Sequence, residues 1–237
     1  MLKAVVFDFD GVIVDSEPVH FEAFAAVLRP MGIAMSYDDY LARYIGFDDR
    51  DCFRTVLYEH TGVMPPADGA QIRDLIEKKK VAFEEAASRV KPMPGAVELI
   101  EALSGVMPLA IASGAARHDI ELICRGLGIT DRFVTIQSAD DVPQSKPDPT
   151  VYRQAVERLA QRTGRADLTP EHCLAIEDTT EGLRSAVGAG LMTLAVTTTL
   201  PAERLTLADR VVDSLGDVSV DDLREWYGQG VTARKSK

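Results

Sequence analysis

The sequence predicts a three-layer α/β fold, a parallel β-sheet covered by helices on both faces, with an all-helical domain inserted after the first strand. Three observations predict it. Short, continuously apolar runs recur along the chain, as strands buried on both faces do. Stretches with apolar residues at helical spacing separate those runs, and strand–helix alternation implies parallel β-α-β units. Between residues 16 and 89 the alternation stops and only helical patterns remain.

The first strand is Ala4-Val5-Val6-Phe7, and it runs into Asp8-Phe9-Asp10-Gly11. The inserted segment follows. Phe21, Phe24, Leu28 and Met31 fall on one helix face. Ser36, with Asp39 three residues on, caps a helix carrying Tyr37, Tyr40, Leu41 and Tyr44. Phe53, Val56 and Leu57 mark a third helix, and Ile72, Leu75, Ile76 and Phe83 a fourth. The breaker-rich Lys91-Pro92-Met93-Pro94-Gly95 returns the chain to the sheet. Further strands are expected at residues 109–112 (LAIA), 133–136 (FVTI), 173–176 (CLAI) and 192–196 (MTLAV), with 210–212 (RVV) at an edge and a last helix over 221–227. The expected division is a sheet-bearing core of residues 1–15 and 90–237 and a helical domain of 16–89. Residues 232–237 have nothing apolar to bury and are expected to fray.

The charge is acidic: 37 Asp and Glu against 26 Lys and Arg give −11 over 237 residues. That balance argues against a nucleic-acid partner, which needs a basic face. It also means that a site for an anionic substrate must supply its own local positive charge. The densest basic run, Lys78, Lys79 and Lys80, reads as a solvated helix face. Cys52, Cys124 and Cys173 are far apart, lack C-x-x-C spacing and sit in apolar runs, so they read as reduced, buried thiols. No stretch approaches the ~20 apolar residues of a membrane span, and the first residues lack a signal-peptide pattern. The expectation is a cytoplasmic protein, monomeric or weakly homodimeric, with no membrane partner.

Four strand ends carry chemistry. Asp8 and Asp10 are two carboxylates at the end of the first strand, where open parallel sheets bind ligands. Gly11 lets the chain turn away. Ser113-Gly114, with Ala115 behind them, joins a strand end to a helix start, a phosphate cradle in its simplest form. Lys146 stands in Ser145-Lys146-Pro147-Asp148-Pro149, where two prolines stiffen the backbone and an ammonium can meet phosphate oxygens and a carboxylate together. Glu177-Asp178 are adjacent acids at a buried strand end, costly without a cation and suited to Mg2+. Taken singly, each also reads as ordinary turn, capping or surface chemistry. Their joint occurrence at four strand ends of one sheet favours a single phosphoryl-transfer site working through an aspartyl phosphate.

In this order the residues resemble a known family. Asp8-Phe9-Asp10-Gly11-Val12, Ser113-Gly114, Lys146-Pro147 and Glu177-Asp178 look like the four motifs of the haloacid dehalogenase superfamily. Residues 8–18 (DFDGVIVDSEP), 111–114 (IASG), 145–149 (SKPDP) and 176–179 (IEDT) resemble its phosphatase and β-phosphoglucomutase branch. The resemblance covers the chain up to the last helix. It implies a Rossmann-like core with a mobile helical cap. It further implies that Asp8 is the nucleophile and Asp10 the acid–base. Mg2+ would be held by Asp8, the carbonyl of Asp10 and Asp178, with Glu177 either a direct ligand or a support behind the ligands, and Ser113 and Lys146 would hold the transferring oxygens. In mutase-like members a histidine at the place of His20 couples acid–base chemistry to cap closure. Arg50, in Gly46-Phe47-Asp48-Asp49-Arg50, is a candidate grip for a distant phosphate, although this loop carries one residue more than the mutase pattern.

The leading expectation is a phosphatase acting on a small phosphorylated metabolite such as a sugar phosphate. The alternative is a phosphosugar mutase, and a non-enzymatic phospho-acceptor switch stands further back. A dehalogenase is disfavoured because it needs neither Asp10 nor a metal. A phosphonate hydrolase would want a Schiff-base lysine in the cap, for which only the Lys78, Lys79 and Lys80 run offers a candidate.

Overall fold

The computed structural model describes residues 1–45 and 47–235, and of residues 231–235 the backbone alone. The chain divides into two compact units, Met1–Asp15 with Lys91–Lys237, and Ser16–Val90.

In the first unit six strands form one sheet. They are β1 (Ala4–Phe7), β2 (Leu109–Ala112), β3 (Thr135–Gln137), β4 (Cys173–Glu177), β5 (Met192–Val196) and β6 (Arg210–Val212). Their spatial order is β3-β2-β1-β4-β5-β6, with every neighbouring pair parallel. Successive strands leave β1 in one direction and then resume on its other side at β4. The switch point therefore lies at the ends of β1, β2 and β4, where ligands bind in open sheets. Phe7 is level with both Ile111 and Ile176, so Asp8, Ala112 and Glu177 emerge at one height.

Both faces of the sheet are covered. Ala4, Val6, Ala110, Ala112, Cys173 and Ala175 pack against Val151, Tyr152, Ala155 and Leu159 of the helix Thr150–Thr163. The alternate residues Val5, Phe7, Leu109, Ile111, Leu174 and Ile176 are buried too. Burial of each large apolar side chain contributes about 1.5–3 kcal/mol, enough to fix the strands from which the polar residues project. The chain leaves and re-enters this unit at Val14–Asp15 and Lys91–Pro92, which pair antiparallel.

The second unit is all-helical: Glu17–Leu28, Tyr37–Arg43, Asp49–Thr61 and Ala70–Ala86. Phe24, Leu28, Tyr40, Phe53, Leu57, Ile72 and Leu75 form its core. Ser36 caps its helix as expected, its Oγ accepting from the Asp39 amide at 3.1 Å. Met31 does not join the core. Pro30 tightens the chain into a 3-10 turn, Arg29–Met31, and leaves Met31 38% exposed.

Three elements differ from their expected bounds, and the smallest difference is that β4 runs one residue further than 173–176, to Glu177. β3 begins at Thr135, because Phe133 follows the 3-10 turn Thr130–Arg132 and sets its ring edge-on to Phe7. The segment expected to fray is helical as far as Lys235, within Val220–Lys235. Extending a helix already anchored by Leu223 and Tyr227 adds one hydrogen bond per residue without a new nucleus. Ser236 and Lys237 lie outside the described residues. The three cysteines are free and buried, and burial pushes each thiol up to about 12. Among the described residues no helix is long and apolar enough to cross a membrane.

Candidate active site

The site grows from the end of β1. The Asp8 amide donates to the Ile176 carbonyl at 2.9 Å, which ties the residue to β4. Gly11 follows with φ +75°, a conformation side chains disfavour. A Cβ there would overlap the Asp178 carboxylate, so the glycine both turns the chain and leaves room for that acid.

Lys146 reaches in from the loop before the helix Thr150–Thr163. Its Nζ lies 2.7 Å from Asp8 Oδ1 and 2.7 Å from Glu177 Oε1. The ammonium also stands 5.1 Å above the Tyr152 ring, and the Tyr152 hydroxyl donates to Glu177 Oε1 at 2.8 Å. Glu177 Oε2 accepts from the amides of Asp178 and Thr179 at 3.2 and 3.4 Å and from the Thr179 hydroxyl at 3.1 Å. Glu177 is fully buried, and a Cβ on Gly182 would overlap its carboxylate. With both oxygens engaged, Glu177 is held as the counter-charge that aims Lys146.

Asp178 is arranged otherwise. Its Oδ2 accepts from the Thr199 hydroxyl, whereas its buried Oδ1 has no hydrogen-bond partner. Carboxylate oxygens of Asp8, Glu177 and Asp178 lie within 4.8 Å of one another.

Three buried carboxylates thus share one ammonium. Burial, then the charge of Glu177, drives Asp8 well above the usual carboxylate range, against the pull of Lys146. Burial and Glu177 push Asp178 up to about 7, with Asp10 adding to the effect and Thr199 and Lys146 opposing it. Burial alone would lower Lys146, but Asp8 and Glu177 outweigh it and raise it. A cluster with surplus negative charge, hard oxygen donors and one orphaned buried oxygen fits a divalent cation such as Mg2+.

Ser113 is buried at the end of β2, its amide donating to Gln137 O at 2.9 Å. Its hydroxyl accepts from the Ala115 amide at 2.9 Å. It is not a helix cap, since the helix Arg117–Gly126 starts behind Ala116. Gly114 is exposed with open space above it. Ala115 differs from expectation. Its amide is spent on Ser113 and its carbonyl on the Ala139 amide, so neither group is offered to a ligand in this geometry.

A family model described as haloacid dehalogenase-like hydrolase matches residues 2–190. The chain belongs to the haloacid dehalogenase-like hydrolases. Among relatives of this hydrolase is the phosphorylated carbohydrates phosphatase of Thermotoga maritima, 29% identical, with 80% of this chain and 82% of that one aligned. Another is the β-phosphoglucomutase of Bacillus subtilis, 27% identical over 96% of both chains. The crystal structure of CbbY from Rhodobacter sphaeroides in complex with phosphate superposes with a TM-score of 0.78 at 27% identity, covering 94% of this chain and 100% of that one.

In the helical unit of this haloacid dehalogenase-like hydrolase, the basic run is not a uniformly solvated face. Lys78 is exposed and pairs with Asp74, but Lys79 is 2% exposed. Its Nζ lies 2.8 Å from Asp49 Oδ1 and 2.9 Å from His20 Nδ1, above the rings of Phe24 and Phe83. Helical spacing carries the explanation: Lys79 falls seven residues after Ile72 and four before Phe83, on the apolar stripe. His20 stacks on Phe83, and burial together with the Lys79 charge lowers it to about 3. It is therefore a neutral ring whose Nδ1 accepts from Lys79 and whose Nε2 carries the proton. Arg50 is exposed in the first turn of Asp49–Thr61, and the acid beside it, Asp49, is what engages the buried lysine.

Tyr152, Gly182 and Thr199 escaped the sequence reading. Tyr152 lies among the buried residues of its helix, beside Val151 and Ala155, so its spacing alone marks it as core. For Thr199 a signal existed, since Thr197, Thr198 and Thr199 directly follow the apolar run of β5, a fifth strand end.

Proposed function

We propose that this chain is a Mg2+-dependent phosphatase that hydrolyses a small phosphomonoester, a sugar phosphate or similar metabolite, with Asp8 as covalent nucleophile. The observation that carries the reading is Lys146 bridging Asp8 and Glu177 at 2.7 Å each, beside an Asp178 oxygen left without a partner. The phosphatase named among the relatives and the phosphate complex of CbbY agree with it.

In this reading an Asp8 carboxylate oxygen attacks phosphorus as the bond to the substrate oxygen breaks. Asp10, half-buried two residues on, gives its proton to the departing alkoxide. Water then attacks the aspartyl phosphate, Asp10 takes up the proton, and phosphate and the Asp8 carboxylate are released. Lys146 meets the charge on the phosphoryl oxygens while Glu177 keeps its ammonium in place, and Ser113 stands at the neighbouring strand end as a further donor. Asp8, the Asp10 carbonyl and Asp178 would hold Mg2+. When bound, the ion offsets the carboxylate charge and polarises the phosphoryl group.

The test is a screen of sugar phosphates, phosphoglycolate and p-nitrophenyl phosphate with Mg2+ or with EDTA. Phosphate release that depends on Mg2+ and disappears in Asp8→Asn supports the reading; equal release by Asp8→Asn ends it. A second reading, a phosphosugar mutase, is favoured by the neutral His20 held by Lys79 and by the mutase among the relatives. Supplying β-glucose 1-phosphate with a bisphosphate primer separates the two: glucose 6-phosphate marks the mutase and free phosphate the phosphatase.

A further inference from the structure

The stretch after β5 has no role in the chemistry above, yet it touches that chemistry twice. The Thr198 hydroxyl donates to the Gly11 carbonyl at 2.5 Å, and the Thr199 hydroxyl donates to Asp178 Oδ2. The two contacts land on neighbours, because a Cβ on Gly11 would overlap the Asp178 carboxylate and come to 2.9 Å from Thr199 Oγ1. The ends of β1, β4 and β5 are therefore strapped together at the carboxylate whose other oxygen, Oδ1, is buried and unpartnered.

We propose that Thr199 is a positioning residue that makes Asp178 a one-oxygen metal ligand and so biases the site toward Mg2+ over Ca2+. This rests on the divalent-cation reading of the cluster. A carboxylate free to rotate can offer both oxygens to one ion. Ca2+, with six to eight flexible ligands, accepts that mode readily, whereas Mg2+ demands near-octahedral geometry with single oxygens. Thr199 occupies Oδ2 and leaves Oδ1 as the oxygen on offer. Thr198, anchoring the Gly11 carbonyl, keeps the strap registered to the catalytic loop. Partners that orient a ligand from behind typically contribute 10–100-fold to metal affinity.

Calorimetric titration of the whole, metal-stripped protein with MgCl2 and with CaCl2 tests this without any turnover. Thr199→Val removes the donor at nearly constant volume, and because the residue is exposed the variant is expected to fold. The expected result is an Mg2+ Kd about 10-fold weaker, a smaller change for Ca2+, and recovery of both values in Thr199→Ser. If Thr199→Val binds Mg2+ within twofold of wild type with the same Mg2+-to-Ca2+ ratio, while Asp178→Asn loses binding, the cluster reading stands and the role of Thr199 is overturned. If Asp178→Asn binds as tightly as wild type, or if wild type binds neither ion, the cluster reading falls and takes this inference with it.

Discussion

Replacing Asp178 by Asn should make the metal-free protein more stable while removing its response to Mg2+. Asp178 is buried beside Asp8 and Glu177, with a single lysine to balance them, and is pushed from an ordinary carboxylate value up to about 7. At about 1.36 kcal/mol per decade, keeping it ionised at pH 8 costs the folded state about 4 kcal/mol. Asn removes the charge and keeps the shape. Its carbonyl can still accept from Thr199, and its NH2 group then sits where Oδ1 has no partner now, among carboxylate oxygens. Allowing for relaxation, the expected gain in EDTA at pH 8 is about 2–4 kcal/mol.

The pH dependence has a definite sign. Because the folded-state pKa lies above the unfolded one, the folded protein holds more protons between them, and wild-type stability falls as pH rises from about 4 to about 7. The advantage of Asp178→Asn should therefore be absent below pH 4, open across that window and level off above it. Urea melts read from Trp226, the single tryptophan, follow this unit directly, since Trp226 packs against Arg210 of β6. In wild type, Mg2+ at 100 times its Kd should add about 2.7 kcal/mol, and in the variant nothing. An Asp178→Asn protein less stable than wild type in EDTA at pH 8 would refute the electrostatic account of the cluster.

Four further outcomes are expected. Asp8→Asn should lower kcat by more than about 10^3-fold with its fold intact, measured by phosphate release and circular dichroism. Lys146→Met strands two buried carboxylates and should destabilise the metal-free protein by about 3–5 kcal/mol in the same urea melts. Gly182→Ala should displace Glu177 and cut turnover without removing any polar group, and an unchanged rate would contradict the packing of Gly182 on that carboxylate. His20, held near 3 in the folded chain, takes up a proton only on unfolding as pH falls below 6.5. Helical-unit stability should thus decline from pH 6.5 toward 3, a slope that disappears in His20→Gln and is read by circular dichroism.

The sequence by itself determined the parallel sheet, the helical insertion, the strand ends that carry Asp8, Ser113 and Asp178, and the helix-leading loop that carries Lys146. The sheet and the insertion are legible from local periodicity, Asp8, Ser113 and Asp178 from polar residues placed directly after apolar runs, and Lys146 from the proline-stiffened segment that leads into a helix, none of which needs knowledge of distant neighbours. Tertiary structure alone decided the rest. Glu177 is a saturated counter-charge for Lys146, Thr199 holds Asp178 from a fifth strand, and Ala115 turns its backbone inward. Lys79 stood between the two cases, since the helical stripe already pointed it inward, but what stabilises a buried ammonium there is Asp49, 30 residues away. Hydrogen-bond partners separated by tens of residues are chosen by strand order and register. That choice leaves no periodic trace along the chain.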